Sequence, residues 1–234
     1  MTLTVSDGTS TSTDTVSITW DSDDTVLVWH FDEGSGVDLY DSSPTGNDGA
    51  LLGGEWTDGM FGTTAAEFDG ALVDARAPAD TSLDIVDAGT IDLYMRTWSR
   101  STDYEVIFTK GTYNYALYRL DDALVFYGRT GTDAYLSLSA TAASLGDGAW
   151  HHYAVVIGEA AVIIYEDGAE IGTTPRTSEL KPNTGLLYVG RAPFMRRGRA
   201  LDAEIDELIV RDIALSAADV SDRAAATAQV CPAD

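Results

Sequence analysis

The chain has 234 residues and carries 38 acidic against 14 basic side chains, a formal charge of −24. That balance opposes binding to nucleic-acid phosphates or to an anionic membrane surface, and it suits either solubility in a salty medium or carboxylates set aside for calcium. A single cysteine, Cys231, excludes an internal disulfide, and a hydrophobic fraction of 44% suits a packed core rather than disorder.

Two alternating segments, 2–5 and 15–19, surround a polar turn at Asp7-Gly8 and predict a hairpin, with 21–24 as a linker. The hairpin is either a unit of its own over 1–24 or an edge of a main domain over 25–228. From Thr25 the chain reads as short strands between turns, at 26–31, 65–68, 90–96, 105–110, 115–119, 123–128, 134–139, 151–157, 161–166, 186–189 and 204–211. Turn signals fall at Asp147-Gly148, Asp167-Gly168 and Asn183-Thr-Gly185. Val155-Val156-Ile157 and Val162-Ile163-Ile164 are apolar on successive residues, as expected of strands covered on both faces. Ser216 with Asp219 three residues later resembles a capping box and predicts a helix over 217–229, with a tail over 229–234. The fold expected is all-β: a two-sheet antiparallel jelly-roll sandwich with a short C-terminal helix. Nothing after Met1 reads as a secretory leader and no apolar run approaches a membrane span, so the expectation is a soluble piece of a longer chain without membrane insertion.

The segment Trp29-His-Phe31-Asp32-Glu33-Gly34-Ser-Gly36, followed by Asp41-Ser-Ser-Pro44 and Gly46-Asn47-Asp48-Gly49, passes from a strand into two turns dense in oxygen donors. Further on come Ala65-Ala-Glu-Phe68-Asp69-Gly70, Ile107-Phe-Thr-Lys110-Gly111, Asp147-Gly-Ala-Trp150-His151-His152, Tyr165-Glu-Asp167-Gly168, Val189-Gly-Arg191 and Glu204-Ile-Asp206-Glu207-Leu208. In this order, over roughly 26–222, they resemble a laminin G-like jelly roll of the concanavalin A-like lectin and glucanase superfamily. The resemblance implies two packed sheets, a calcium site on one edge in many members, and carbohydrate or protein binding nearby, without naming a ligand. The first hairpin resembles the end of an immunoglobulin-like or cadherin-like repeat, of the kind found in exported bacterial proteins. A secreted or cell-surface bacterial setting with neighbouring domains is therefore expected.

In the resembled fold the last long strand runs beside the first. The expected calcium set is then Asp32 or Glu33, Asp41, Asn47 and Asp206, with Asp48 and Glu207 in reserve; alternatively, Asp41 and Asn47 form Asx-turns. Glu204 and Asp206 share a strand face, but Leu208 occupies the next position of that series, so a laminarinase-type carboxylate set is incomplete. His151 and His152 are adjacent on a strand and project to opposite faces. Arg191, Arg196, Arg197 and Arg199 cluster beside Phe194 and Met195. They either recognise sulfate or carboxylate on a glycan or neutralise Asp202, Glu204 and Asp206. Tyr104, Tyr113, Tyr115, Tyr127 and Tyr135 either stack on sugar rings or cap the core. The chain is expected to be a non-catalytic recognition module with calcium-supported carbohydrate binding, in which Arg191, Arg196, Arg197 and Tyr113 touch the ligand. The partner is a glycan or a cell-surface protein. The alternatives are a structural or adhesive protein-binding module and a glycoside hydrolase or lyase.

Overall fold

A computed structural model describes residues 24–112, 114–192 and 200–226, together with the backbone of 2–6 and 11–15. Arg196, Arg197 and Tyr113 lie outside the described residues, as do Cys231 and the expected tail. Strands β1 (Thr2–Ser6) and β2 (Thr11–Thr15) pair with each other in a two-stranded sheet and, among the described residues, with no other strand. The second strand therefore starts earlier than its apolar residues suggest, because the polar run Thr11–Thr15 already alternates against Thr2–Ser6.

The remaining strands are β3 (Thr25–Trp29), β4 (Asp38–Leu39), β5 (Gly49–Leu52), β6 (Glu55–Asp58), β7 (Thr64–Asp69) and β8 (Asp74–Ala77). After a 3₁₀ turn at Thr81–Leu83 come β9 (Gly89–Arg96), β10 (Glu105–Lys110), β11 (Tyr115–Leu120), β12 (Ala123–Arg129) and β13 (Tyr135–Thr141). The chain closes with β14 (Trp150–Ile157), β15 (Ala161–Glu166), β16 (Ala169–Pro175), β17 (Leu187–Val189), β18 (Asp202–Arg211) and helix α1 (Ala217–Ala225). Two antiparallel sheets result. The first runs β13-β12-β11-β10-β17-β8-β5-β4; the second runs β16-β15-β14-β9-β18-β7-β6, with β3 also paired to β18.

Alternation fixes which side of each strand is buried. Leu117, Leu124, Phe126, Leu187 and Val189 of the first sheet meet Leu93, Met95, Val155, Ile164 and Ile205 of the second in one core. The alternate residues of β10 to β12 point away from that core. Among them Val106, Ala116, Tyr118 and Val125 form a second apolar cluster on the outer side of the first sheet. On the outer side of the second sheet, Val220 of α1 packs with Ala154, Val156 and Tyr165. The helix opens on the predicted capping box, with both reciprocal Ser216–Asp219 bonds present, and it ends at Ala225 rather than 229.

Strand β18 departs from simple alternation. Asp206 opposes Tyr94 and Ile209 opposes Asp92, so β18 has an extra residue here, and Glu207 takes φ +54°. The bulge returns Leu208 to the core instead of leaving it on the face of Glu204 and Asp206.

Candidate functional site

The carboxylates of the front turns act first on the backbone. Asp41 Oδ1 accepts from Val28 N and Ser43 N, both at 2.8 Å, while Oδ2 accepts from Asn47 N at 2.6 Å and Ser43 Oγ at 2.7 Å. Asn47 is buried; its Nδ2 donates to Val26 O at 2.7 Å and to Ser82 Oγ at 2.9 Å. Together the two side chains stitch the turn after β4 to β3, an Asx arrangement extended across the fold. Asp48 Oδ1 accepts from Asp41 N at 2.8 Å, and Glu33 Oε1 accepts from Tyr40 N at 2.9 Å.

A second constellation holds the turn before β7. Asp206 Oδ2 accepts from Met60 N and Phe61 N at 2.8 and 2.9 Å, and Asp32 Oδ1 accepts from Thr63 N and Thr64 N at 2.7 and 3.2 Å. Gly62 sits between these donors at φ +59°, where an added Cβ would lie 2.0 Å from Asp32 Oδ2. His30 Nδ1 meets Glu207 Oε1 at 2.9 Å. Burial, then the charges of Glu207 and Asp32, push the Asp206 carboxyl up to about 7 against the bonds from Phe61 and Met60. Its Oδ1 is buried and has no hydrogen-bond partner. Beside this group lies a recess of about 530 Å³ lined by His30, Asp32, Glu33, Asp38 and Tyr40, among others.

The donors expected to share one calcium ion thus fall into two sets, each already engaged by backbone N–H groups. Among the described residues no three His, Cys, Asp or Glu side chains are grouped to hold a metal. The five residues Asp32, Glu33, Asp41, Asn47 and Asp206 do not form one cage.

Glu204 and Asp206 both lie on the outer side of the second sheet, opposite Arg96 and Tyr94, and both are buried. Glu204 is bound by Arg96, whose Nε donates to Oε2 at 2.6 Å. Arg96 in turn lies between the rings of Trp98 and Trp150, 5.0 and 4.9 Å from their centroids. The imidazoles of β14 take different partners: His151 meets Asp147 and Asp167, whereas His152 lies 3.4 Å from Asp92.

The outer side of the first sheet has a different character. Tyr104 packs edge-on against Tyr118 at 6.0 Å between centroids, and Tyr118 against Tyr127 at 5.7 Å. Strand register continues this face: Tyr127 opposes Ala116, Ala116 opposes Thr109, Thr109 opposes Tyr188, and Tyr188 opposes Arg76. Two small residues therefore separate Tyr127 from Tyr188, which stand three strands or about 14 Å apart. Tyr135, 65% exposed, opposes Arg129 on the same side. Arg191, just past β17, lies 3.9 Å from Asp74, not beside Glu204 or Asp206.

Of the tyrosines singled out from the sequence, Tyr104, Tyr127 and Tyr135 belong to this face. Tyr115 does not. Its parity turns it into the core, where it is fully buried and its hydroxyl donates to Leu83 O at 3.0 Å. Tyr118, Tyr188, Arg76 and Arg129 went unselected. The period-two parity with Tyr127 could have found Tyr118, but Tyr188 and Arg76 join the face only through the long-range pairing of β17 with β10 and β8.

A family model described as the concanavalin A-like lectin/glucanases superfamily, Laminin_G_3, matches residues 69–221. The binding domain of Paraclostridial Mosquitocidal Protein 1 superposes with a TM-score of 0.71 at 12% identity, covering 86% of this chain and 52% of that one. The receptor binding domain of botulinum neurotoxin D gives 0.66 at 11% identity, covering 86% and 52%. The chain thus spans about half the length of these relatives, 52% in each. Domain 4 of AbnA, a GH43 extracellular arabinanase from Geobacillus stearothermophilus, was solved in complex with arabinotriose. It superposes with a TM-score of 0.65 at 19% identity, covering 86% of this chain and 98% of that domain. No curated protein matches the sequence.

Proposed function

The chain belongs to the concanavalin A-like lectin/glucanases superfamily, and from that premise we propose that it is a non-catalytic carbohydrate-recognition module of an exported multidomain protein. The glycan lies across the outer face of the first sheet. The observation that carries this reading is the row of tyrosines on that face, with Tyr104, Tyr118 and Tyr127 in edge-on contact and Tyr135 65% exposed at its edge. Tyrosine rings offer an apolar face to the C–H side of a sugar and a hydroxyl to its oxygens.

The likeness to an arabinotriose-bound domain of equal extent supports the same reading. The state of Glu204 and Asp206 supports a binder over a hydrolase: both are buried and hydrogen-bonded rather than set across a cleft. Calcium enters as a stabilising ion, not as a bridge to sugar, and its one support is the unpartnered Asp206 Oδ1.

Calorimetric titration with arabino-, galacto- and xylo-oligosaccharides, together with acidic ones, tests the proposal. At least one class should bind, and Tyr127→Ala or Tyr188→Ala should weaken it about tenfold, roughly 1.4 kcal/mol, with melting unchanged within a few degrees. Failure of every saccharide, or full affinity in both variants, overturns the glycan reading. A protein ligand captured by the same face would establish the adhesive alternative instead.

A further inference from the structure

Two groups of cation, carboxylate and cation flank Tyr188. On one side Arg76 Nε donates to Asp74 Oδ2 at 2.7 Å, Arg191 Nη1 lies 3.9 Å from Asp74 Oδ1, and the Arg76 guanidinium lies 6.0 Å from the Tyr188 ring centroid. On the other, Arg129 Nε stands 3.2 Å from Asp133 Oδ1, and Lys181 Nζ donates to that same oxygen. Each group holds two positive charges against one negative. The chain as a whole carries −24, so both places reverse the prevailing sign. Tyr188, Arg129 and Lys181 line one recess of about 370 Å³ together with Gly111, Asn183 and Gly185. The Lys181 and Arg129 side chains remain 44% and 36% exposed, so a ligand reaches them without unfolding anything.

Like charges gathered around one carboxylate repel each other, and a second anion relieves that repulsion. Guanidinium and ammonium donors grip carboxylate and sulfate oxygens through charge-assisted hydrogen bonds. Tyr188 borders the recess between the two groups, and an anion seated there meets Lys181 and Arg129 directly.

We propose that the recess between Tyr188, Arg129 and Lys181 binds the anionic group, carboxylate or sulfate, of an acidic sugar residue. This rests on the glycan reading and narrows its ligand class. An acidic sugar residue seated in the recess presents its anion to Lys181 and Arg129, and the Asp74 group on the far side accommodates a second charge along the same chain.

The test is titration of the protein with oligogalacturonates, with sulfated chondroitin oligosaccharides and with neutral arabino- and galacto-oligosaccharides. One anionic class should bind about tenfold tighter than any neutral one, and the advantage should shrink as salt is added. The carboxylated and sulfated arms identify which anion is read. Lys181→Gln and Arg129→Gln should each remove about tenfold of affinity for the anionic ligand and leave neutral binding alone. Asp133→Asn should act in the opposite direction. It keeps a residue type that tolerates the observed φ of +65° and releases both cations, so anionic binding tightens. Equal affinity for neutral and anionic sugars, with no effect of Asp133→Asn, overturns this inference and leaves the glycan reading standing. A panel on which no saccharide binds overturns both.

Discussion

Asp206 is the residue whose protonation and burial conflict most. Its side chain is fully buried on β18 with Oδ2 held by two backbone N–H groups and Oδ1 unpartnered. Burial, with the charges of Glu207 and Asp32, raises its pKa to about 7, whereas the unfolded chain releases that proton near pH 3.9. The folded state therefore binds a proton that the unfolded state lacks between those values, and the stabilisation is lost as pH rises through about 7. His30 acts in the same direction. Its hydrogen bond to Glu207 outweighs burial and raises its pKa, so its contribution also fades as pH rises. In chelator, the melting temperature should fall by roughly 5 °C or more between pH 5 and pH 8, and Asp206→Asn should flatten that slope. Calcium bound at Oδ1 would favour the ionised carboxylate, so adding it should raise melting at pH 8 far more than at pH 5. Identical curves with calcium and chelator would remove calcium from the proposal. A slope that survives Asp206→Asn unchanged would remove Asp206 as its source.

Helix α1 is the element whose attachment depends on one buried carboxylate. Asp92 Oδ1 accepts from Arg223 Nη2 at 2.7 Å and Nε at 3.1 Å, its Oδ2 is bound by Arg211, and Tyr94 Oη donates to Arg223 O at 2.5 Å. Burial opposes ionisation of Asp92, yet Arg223, His152 and Arg211 hold its carboxyl well below the usual carboxylate range. Its contribution is present above pH 4 and is lost only as pH falls below that range. Asp92→Ala leaves buried guanidinium groups without a counter-charge and should cost roughly 3–5 kcal/mol. Arg223→Ala leaves Asp92 with Arg211 and His152 and should cost about 1–3 kcal/mol while opening 217–225 to limited proteolysis. Equal melting in both variants, or a helix no easier to cleave, would refute this anchoring. The capping box of α1 was legible because its signal lies within four residues. Strands with apolar runs, such as β14 and β15, were legible for the same local reason. Strands β4, β5, β6, β8 and β16 were not. They are short or edge-placed, and β16 reads Ala-Glu-Ile-Gly-Thr-Thr-Pro, a pattern that becomes a strand only beside β15. The Glu207 bulge was equally hidden, because alternation read from sequence assumes no inserted residue. The engagement of the expected calcium donors was hidden for that kind of reason: spacing showed oxygen donors near one another, but not that backbone N–H groups from β3 and the 60–64 turn bond to Asp41, Asp206 and Asp32.

At the scale of the whole molecule, several of the few cations among the described residues are held against carboxylates in the interior or at its edge. Lys110 is buried against Asp84 and Arg119 against Glu105, while the partly buried Arg223 and Arg211 pair with the buried Asp92. These pairs remove positive charge from the surface of a chain already at −24, leaving an outer shell rich in carboxylates that repel one another. The two excess-positive groups beside Tyr188 stand out against that shell. Salt should therefore act on this protein in two opposed ways. Raising ionic strength from about 0.01 M to about 0.15 M shortens the screening length from roughly 30 Å to roughly 8 Å, which weakens surface repulsion but barely reaches the buried pairs. Thermal melting should rise by several degrees across that range at pH 7, while affinity for an acidic oligosaccharide falls over the same titration. A melting temperature that stays flat or drops with salt would mean that surface repulsion is not what limits stability. An affinity that stays flat would mean that the cations beside Tyr188 do not meet the ligand.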